Sequence, residues 1–432
     1  MHDTPSKIGE TPLQLTDDGY LVWRKFLKGL NLKLDEYRIL CRGIIEGVYS
    51  EPMLATIIAR AYYKPLKPDE IHKLTMAFVE TGDTIEFEGK YIVDKHSIGG
   101  VPGNKVSLLV VPIVAAAGLK IPKTATRSIT TIGTAEKMNI FAPVDLTAEE
   151  VKEVIKKAGG CIISTRKLNL APVDDVLINI QSKLRINPIS LMVASILAKK
   201  KAMNIKYMVL DIPQGRGTKV RTMKEATMLA NRFIMVSESI GINLRCAITY
   251  GEQPVGHTVG VALEAREALE TLQGGRPSTS LIEKSVGLAG ILFEAIGITS
   301  EGNRLAKNIL ESGKAYKKFR EIIEAQGGNR DIKIDDIPIG TYTAEIKSNA
   351  NGYVVQIDNK LIMEVARRAG APADIGAGLI IPYKGGRYVR EGDTILKIFS
   401  NNEARLDKAY RFALENMPIV IEGAVRRIVR GL

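Results

Sequence analysis

The feature that most constrains the fold is the alternation, from Ile85 to about Tyr250, of short apolar segments with helical patterns. The segments YIVD, CIIS, YMVLDIP and LRCAITY predict strands, and stretches between them, such as TAEEVKEVIKKAGG, predict helices. Such alternation favours an α/β layer with a largely parallel sheet and functional loops at the strand ends. The apolar run Val106–Leu119 predicts a buried helix within this layer.

The segments on either side of this layer have different patterns. Residues 20–82 carry apolar residues at spacings of three and four, with start signals at Asp35 and at Pro68-Asp69, and predict a set of helices. From about residue 340 a period of two, an Asn351-Gly352 turn and one helix near Leu361–Ala369 predict a small β-rich domain. We therefore predict three domains: helical (1–82), α/β phosphate-binding and catalytic (83–330), and β-rich C-terminal (340–432).

The charge balance narrows the class of partner. The net charge is +12 and the isoelectric point is about 9.3, which fits either a nucleic-acid partner or an anionic small molecule. Lysines and arginines alternate with acidic residues along helices such as EVKEVIKKAGG, and aromatic residues make up only 6% of the chain, so platforms for base stacking are scarce. We expect a small-molecule anion and no nucleic acid; steeply salt-dependent binding to DNA or RNA would indicate the alternative.

Compartment and metal content are also constrained. No apolar run approaches the roughly 20 residues that span a bilayer, and the N-terminus lacks the order of a signal peptide, so we expect a cytoplasmic protein with no membrane contact. The three cysteines are far apart without a CxxC pair, and the four histidines form no H-x-x-x-H pattern. We therefore expect buried thiols and no zinc site. The numbers of cysteines and histidines do not bear on metal binding by carboxylates, which stays an alternative.

The stretch from Tyr91 to Ser107 carries the strongest chemical signal. A predicted strand ends at Asp94, a glycine-rich loop follows, and an apolar helix is predicted to begin near Asn104. A helix N-terminus offers unpaired N–H groups and partial positive charge, and glycines let the backbone approach an anion. The loop glycines are Gly99, Gly100 and Gly103, and the neighbouring donors are Lys95, Ser97 and Ser107. A phosphate site is predicted, although the loop matches neither a Walker nor a Rossmann pattern and a turn without ligand is the alternative.

Two further segments are less specific. Six hydroxyl residues surround Arg127 between Thr124 and Thr134, which favours a lining for phosphate and sugar oxygens, with a threonine-rich strand and turn as the alternative. The segment Asn187–Lys200 predicts a helix in which Ser195 and Lys199 share a face. By itself this helix favours an ordinary amphipathic element with a solvated lysine.

Together these segments resemble the thymidine/pyrimidine-nucleoside phosphorylase family, and most closely its archaeal AMP phosphorylase branch. The motifs run in family order from about residue 20 to residue 430: VDKHSIGGVPGNKVSLLVVPIVAAAGL, IPKTATRSITT-IGTAEKM, ASILAKK, DIPQGRGTKV, AITYGEQPVGHTVGVALEAREALE and FREIIEAQGG. The resemblance implies an all-α domain completed by helices around 170–200, an α/β domain and a small α+β C-terminal domain, as in class II nucleoside phosphorylases. It places the active site in the cleft between the first two domains and implies a homodimer that pairs through the helical segment.

The resemblance also implies a reaction and a set of site residues. The reaction is phosphorolysis of a nucleoside or nucleoside 5′-monophosphate, with inorganic phosphate as co-substrate and no cofactor or metal. Catalytic positions are Lys95, His96 and Asn187. Phosphate-binding positions are Lys95, Ser97, Gly100, Ser107 and Thr134. Sugar- or nucleotide-binding positions are Thr126, Arg127, Ser128, Ile129, Thr130, Thr131 and Lys219. Base-binding positions are Ser195 and Lys199.

Several positions depart from the family pattern. Asn187 stands where AMP phosphorylases have a proton-donating aspartate, the hydroxyl loop is one residue short before Gly133, and Ala125-Thr126 replaces an expected serine. We also expect the additional N-terminal domain of that branch to be absent. These changes bear on the choice of substrate more than on the reaction. The alternatives are a phosphoribosyltransferase of the same fold, with magnesium on Asp174-Asp175, and a phosphate-binding pseudoenzyme.

Overall fold

The chain folds into two compact units. The computed structural model describes residues 16–125, 132–275 and 278–423. Unit 1 contains the described residues up to Glu86, together with Asn169–Ile205 and Arg232–Ile242. Unit 2 contains Phe87–Leu168, Lys206–Asn231 and the described chain from Asn243 onward. None of the helices in these described ranges is long and apolar enough to cross a membrane.

Sixteen α-helices are found in the described residues. They are α1 (Asp17–Lys28), α2 (Leu34–Ile45), α3 (Glu51–Tyr63), α4 (Pro68–Val79), α5 (Ser107–Ala116), α6 (Thr134–Met138), α7 (Ala148–Ala158), α8 (Pro172–Leu184), α9 (Ile189–Ala202), α10 (Met223–Ser239), α11 (Val261–Leu272), α12 (Thr279–Ile296), α13 (Gly302–Glu311), α14 (Lys314–Ala325), α15 (Asn359–Ala369) and α16 (Glu403–Asn416).

Twelve strands accompany them in the same ranges. They are β1 (Val93–Ser97), β2 (Ile121–Ala125), β3 (Gly160–Ser164), β4 (Tyr207–Gln214), β5 (Asn243–Tyr250), β6 (Thr258–Val259), β7 (Tyr342–Lys347), β8 (Gly352–Ile357), β9 (Gly378–Ile380), β10 (Tyr388–Val389), β11 (Thr394–Ser400) and β12 (Ile419–Glu422).

Unit 1 is helical, as the spacing of apolar residues between 20 and 82 predicts. Helices α8 and α9 pack on α3 and α4, and the backbone N–H of Leu66 donates to Ser190 Oγ at 2.8 Å. Farther along, the N–H of Asp83 donates to the carbonyl of Asn169 at 3.0 Å. A Cβ at Gly82 would lie 2.1 Å from that same carbonyl oxygen, so this close approach requires glycine. Residues 169–205 are therefore part of one helical core with the N-terminal helices.

Unit 2 contains the parallel sheet that the strand–helix alternation predicts. Strands β1, β4 and β5 pair in parallel in the order β1-β4-β5, β2 pairs in parallel with β3, and a parallel bridge between Ile92 and Lys120 connects the two sets. Helix α5 is buried along most of its length and packs on β2 and β3, which confirms the predicted buried helix. A helix without a polar face is stable in a folded protein when other elements cover it on all sides, and α5 is buried in this way.

Two predicted boundaries around the glycine loop are wrong. Strand β1 continues past Asp94 to Ser97, because its parallel ladder with β4 extends to the pair Ser97 and Asp211. Helix α5 begins at Ser107 and not near Asn104, because the chain first turns at Gly103, which has a φ of +70°. Residues 95–97 are therefore fixed by a sheet and do not belong to the loop.

The segment after residue 340 supplies most of two antiparallel sheets and of the apolar core between them, which also includes Val259 and Val261, and α15 and α16 pack on the sheets. The sheet orders are β10-β8-β12 and β6-β9-β11-β7. The strands on either side of the predicted Asn351-Gly352 turn enter different sheets, because β7 pairs with β11 whereas β8 pairs with β10 and β12. Strand β6, which lies far earlier in the chain, pairs with β9 and joins this segment to the rest of unit 2.

Two short ion pairs between a lysine and a glutamate are buried in unit 2. Lys105 Nζ is 2.6 Å from Glu267 with side-chain exposures of 0% and 8%, and Lys137 Nζ is 2.6 Å from Glu264 with 1% on both sides. Lys105 also donates to the carbonyls of Val255 and Thr258, at 3.0 and 3.2 Å. Burial acts to raise the pKa of Glu267, but the Lys105 charge and hydrogen bonds outweigh it and hold that pKa below its usual value. Buried charges are tolerated only with partners of this kind.

Replacing Glu267 should therefore destabilise the protein strongly. In Glu267→Ala the Lys105 ammonium stays buried without its counter-charge, and we expect a loss of about 3 kcal/mol in the free energy of unfolding. The matched control is Glu364→Ala, which removes the partner of Arg368 in a pair with exposures of 43% and 38% and should cost less than about 0.5 kcal/mol. Urea unfolding followed by circular dichroism measures both; equal losses would contradict the assignment.

Candidate active site

The carboxyl end of β1 presents three of the predicted site residues in a row. Lys95, His96 and Ser97 lie beside β4, in the register that pairs Lys95 with Val209 and Ser97 with Asp211. Side chains alternate along a strand, so Lys95 and Ser97 share one face of the sheet and His96 lies on the other. Lys95 is buried, with 2% of its surface exposed, whereas His96 and Ser97 are half-buried.

Ser97 connects the end of the strand to the glycine loop. Its Oγ accepts hydrogen bonds from the backbone N–H of Gly99 at 3.3 Å and from Asn104 Nδ2 at 3.2 Å. The carbonyl of Asn104 in turn accepts from the buried Lys137 Nζ at 2.9 Å. Both ends of the loop are thus held by side chains, which fixes its backbone N–H groups in place.

The three loop glycines all adopt conformations that favour glycine. Gly99, Gly100 and Gly103 have φ angles of +80°, +94° and +70°. A Cβ at Gly100 would lie 3.0 Å from the backbone nitrogen of Lys219, so the loop is directly against that predicted nucleotide-binding residue, whose side chain is exposed. A Cβ at Gly103 would lie 2.4 Å from the carbonyl oxygen of Val255. The structure therefore places Gly100 and Lys219 next to each other.

Ser107 and Thr134 occupy matching positions on two helices. Ser107 is the first residue of α5 and is buried, and Thr134 is the first residue of α6 and is half-buried. The Glu136 carboxylate folds back to where a Cβ of Gly133 would be, at 2.0 Å from that position. The remaining predicted nucleotide-binding residues lie outside the described residues: Thr126, Arg127, Ser128, Ile129, Thr130 and Thr131.

Lys95 is a buried cation at some distance from its counter-charge. No hydrogen bond joins its Nζ to another residue in the described ranges, and the facing carboxylate, Asp211 Oδ2, is 4.0 Å away. Burial lowers the pKa of Lys95 to about 8, and the charge of Asp211 opposes that shift. A buried ammonium in such a position has a strong preference for an anionic ligand, which accepts its N–H groups and balances its charge.

A second polar cluster lies within unit 1 on α8 and α9. Asp174 Oδ2 accepts from Ser195 Oγ at 2.7 Å and from Lys199 Nζ at 2.6 Å, and Asp175 lies 3.4 Å from the same ammonium. Burial acts to lower the pKa of Lys199, but Asp174 and Asp175 outweigh it and hold the pKa above its usual value. The two predicted base-binding residues are therefore close together, and Lys199 is a permanently charged donor and not a solvated surface lysine.

Asn187 is placed apart from this hydrogen-bonded cluster. It is exposed, in the short connection between α8 and α9, and its Nδ2 lies 3.8 Å from the sulfur of Met192. The side chain is thus accessible and only weakly held by its neighbour.

Three residues with clear roles in these clusters were not predicted as site residues. The sequence indicates Asp174 only as a possible metal ligand or as an acidic residue at a helix start, and it gives no indication of a role for Asp211 or Lys284. Lys284 Nζ lies 3.0 Å from Asp211 Oδ1 and 2.9 Å from Thr249 Oγ1. Their partners are 21 to 116 positions away in sequence, so no local spacing reveals them. The one available signal was charged residues inside otherwise apolar strands and helices.

Comparisons with known proteins agree with this architecture. Residues 89–316 match the family described as "Glycosyl transferase family, a/b domain", and residues 353–420 match "Pyrimidine nucleoside phosphorylase C-terminal domain". An AMP phosphorylase of Pyrococcus furiosus is 48% identical over 95% of this chain and 82% of its own length. An AMP phosphorylase of Methanosarcina acetivorans is 47% identical with the same coverage of both chains.

A solved structure supports the fold. Anthranilate phosphoribosyltransferase from Thermus thermophilus superimposes with a TM-score of 0.58 at 18% identity, covering 71% of this chain and 99% of that one. At this level of identity the likeness establishes the architecture alone. The family matches and the identity to the archaeal enzymes go further: the chain belongs to the thymidine/pyrimidine-nucleoside phosphorylase family, in its AMP phosphorylase branch.

Proposed function

We propose that this protein cleaves the N-glycosidic bond of a nucleoside or nucleoside 5′-monophosphate with inorganic phosphate. The products are the free base and ribose 1-phosphate or ribose 1,5-bisphosphate. The observation that carries the proposal is the buried Lys95 ammonium, with no donor engaged among the described residues, beside a rigid glycine loop. The names of the relatives, AMP phosphorylases, agree with a nucleotide substrate.

On the phosphate side, the reaction needs an anion held in line with the C1′ atom of ribose. Phosphate oxygen attacks C1′ as the base departs, through a transition state with oxocarbenium character. Such chemistry depends on positioning and on charge stabilisation more than on covalent help. Lys95 supplies the charge, and the other donors are Ser97, Gly100, Ser107 and Thr134. Burial of Lys95 strengthens its attraction for the anion, because fewer waters compete for its N–H groups.

On the base side, the leaving group carries developing negative charge. Lys199 is held charged by Asp174, and Ser195 Oγ donates its proton to the same carboxylate, so the hydroxyl oxygen can still accept a hydrogen bond. This pair offers one donor and one acceptor to the edge of a base. His96 is assigned to proton sharing near the glycosidic bond, because imidazole titrates near neutral pH.

Phosphoribosyl transfer is the second candidate and is less favoured. It needs magnesium on carboxylates, for which the sequence offers Asp174-Asp175. Asp174 Oδ2 is already engaged by Ser195 and Lys199, and the adjacent ammonium repels a divalent cation. Activity that is lost with a chelator and requires a pyrophosphorylated ribose would support this alternative. A homodimer, a cytoplasmic location and the absence of a cofactor besides phosphate stay predictions.

The first prediction concerns Lys95. In Lys95→Ala the anion loses its buried counter-charge, and we expect phosphate-dependent release of base to fall to background. The control is Lys307→Ala, an exposed lysine on α13 beside Glu311, which should leave the rate unchanged. Liquid chromatography of the released base measures both. Unchanged turnover by Lys95→Ala would refute the assignment, and wild-type protein that binds nucleotide without any product would indicate a pseudoenzyme.

The second prediction concerns the base. A carboxamide at Asn187 donates a hydrogen bond but cannot transfer a proton, which adenine needs as it leaves. Uracil departs as a stabilised anion beside a lysine. We therefore expect weak activity on AMP and better activity on uridine or its monophosphate, measured across a panel of nucleosides and monophosphates with and without phosphate. Robust phosphorolysis of AMP by the wild-type protein would contradict this.

The third prediction is that a proton donor at position 187 increases activity on AMP. Asn187→Asp restores a carboxylic acid in an exposed position, and we expect AMP turnover to rise by about tenfold or more, in line with general acid catalysis. Turnover of uridine serves as the internal control, because it needs no proton donor at this position and should not rise. Absence of any gain with AMP would place the substrate preference in the shortened hydroxyl loop instead.

A further inference from the structure

Asp211 lies between two lysines in the interior of unit 2. Its side chain is fully buried; Oδ1 accepts from Thr249 Oγ1 at 2.6 Å and is 3.0 Å from Lys284 Nζ. Oδ2 faces Lys95 Nζ at 4.0 Å, which is too long for a hydrogen bond between the two side chains. Lys284 comes from α12, which packs on β4 and β5, and only 8% of its side chain is exposed.

This arrangement makes the two lysines unequal. Lys284 and Thr249 engage one carboxylate oxygen and fix the orientation of the group. The other oxygen is near enough to Lys95 to stabilise its charge but too far away to accept a hydrogen bond. Lys95 therefore keeps its N–H donors, whereas an ion pair at 2.6 Å, as for Lys105, would engage them.

The charges around Lys95 come from four elements. Asp94 on β1 and Asp211 on β4 favour its protonated form, whereas Lys284 on α12 and Lys137 on α6 disfavour it. Burial is the largest effect and lowers the pKa of Lys95 to about 8. Near neutral pH, the charge state of Lys95 is therefore sensitive to each of these neighbours.

We propose that Asp211 is a positioning residue of the phosphate site: anchored by Lys284 and Thr249, it keeps Lys95 charged while leaving the N–H groups of Lys95 available for the attacking phosphate. This inference rests on the proposed function, since it assumes that Lys95 binds phosphate. Asp211 itself need not touch the substrate. Its effect is transmitted through Lys95.

Substitution of Asp211 and substitution of Lys284 should shift the pKa of Lys95 in opposite directions. Asp211→Asn removes the negative charge, so the pKa of Lys95 falls further. In the pH profile of kcat/KM for phosphate, the decline on the alkaline side (the alkaline limb) should then move to a pH about one unit lower. Lys284→Met removes a like charge, so the same limb moves up. It also frees Asp211 to turn toward Lys95, and we expect the KM for phosphate to rise roughly tenfold while kcat changes less.

The variant Thr249→Val changes how the Asp211 carboxylate is held without changing any charge near Lys95. It removes a hydrogen bond to Oδ1 with almost no change in shape and none in charge, so the KM for phosphate should rise while the alkaline limb stays in place. Lys307→Met, on the exposed face of α13, is the control for loss of a lysine and should match the wild type throughout.

The experiment measures initial rates of the full-length chain with uridine and varied inorganic phosphate, from about pH 6 to about pH 10, a range that spans the titration of a perturbed lysine. Ionisation of phosphate is common to all variants, so differences between variants belong to the protein. Thermal unfolding checks that each variant is folded. If Asp211→Asn does not fold, the Lys284→Met and Thr249→Val pair carries the test.

Opposite shifts of the alkaline limb in Asp211→Asn and Lys284→Met, with no shift in Thr249→Val, would support the inference. Identical limbs in all variants, or shifts of the same sign, would overturn it, because a purely structural role affects the rate without a sign that follows charge. A wild-type protein that releases no base from any nucleoside or monophosphate of the panel in the presence of phosphate would instead defeat the proposed function. Activity in the wild type with unshifted variants would defeat the positioning role alone.

Discussion

The site in unit 2 depends on how each buried lysine charge is balanced. Lys105 and Lys137 each lie 2.6 Å from a buried carboxylate and donate their remaining hydrogen bonds to loop carbonyls. Lys95 is equally buried, yet its facing carboxylate is 4.0 Å away. A buried charge without a close partner carries a large desolvation cost, and an anionic ligand relieves it. The distance from ammonium to carboxylate thus separates the lysines that hold the loop from the lysine that is available to a ligand.

Unit 1 also contains a buried lysine beside carboxylates, but the pKa of this lysine is shifted in the opposite direction. Lys199 lies 2.6 Å from Asp174, and the two nearby carboxylates hold its pKa above the usual value, whereas burial lowers the pKa of Lys95 to about 8. Two lysines whose environments drive their pKa values apart are suited to different tasks. Lys199 remains a fixed positive charge, which suits the role proposed for it beside a leaving base. Lys95 is nearer to its titration point, so its charge responds to pH more readily than that of Lys199.

Periodicity predicted the elements far better than it predicted their polar contacts. The alternation after Ile85 predicted the parallel sheet and the buried helix α5, because burial on all sides leaves an apolar signature. The apolar pattern predicts the end of β1 three residues too early, because Lys95, His96 and Ser97 are polar residues in a buried ladder. Polar residues in such a strand contradict the apolar pattern, and such conflicts are expected at functional sites.

The polar contacts themselves depend on long-range geometry. The spacing of Ser195 and Lys199 indicated a shared helix face, but only the fold shows that Asp174 lies against both of them. Likewise, Asp211 and Lys284 are joined because α12 packs on β4, a contact that no local pattern encodes. The glycine loop was recognisable in sequence because its chemistry is local: consecutive glycines, a lysine and serines at the end of a strand. Family motifs supplied the residues 126–131, which lie outside the described ranges.

The residues proposed for the choice of base and those proposed for phosphate attack are therefore held in the structure in different ways. The residues proposed to bind phosphate are held by a parallel sheet, by loop glycines with positive φ and by buried ion pairs, so we expect most substitutions there to cost stability. Asn187 is exposed in a connection between two helices and is only weakly held, so it can change without disturbing the helical core. In the proposed mechanism, a substitution at this exposed position changes the proton available to the leaving base while the attacking side stays intact. The departure at Asn187 from the family pattern therefore bears, in that mechanism, on the choice of substrate and not on the reaction.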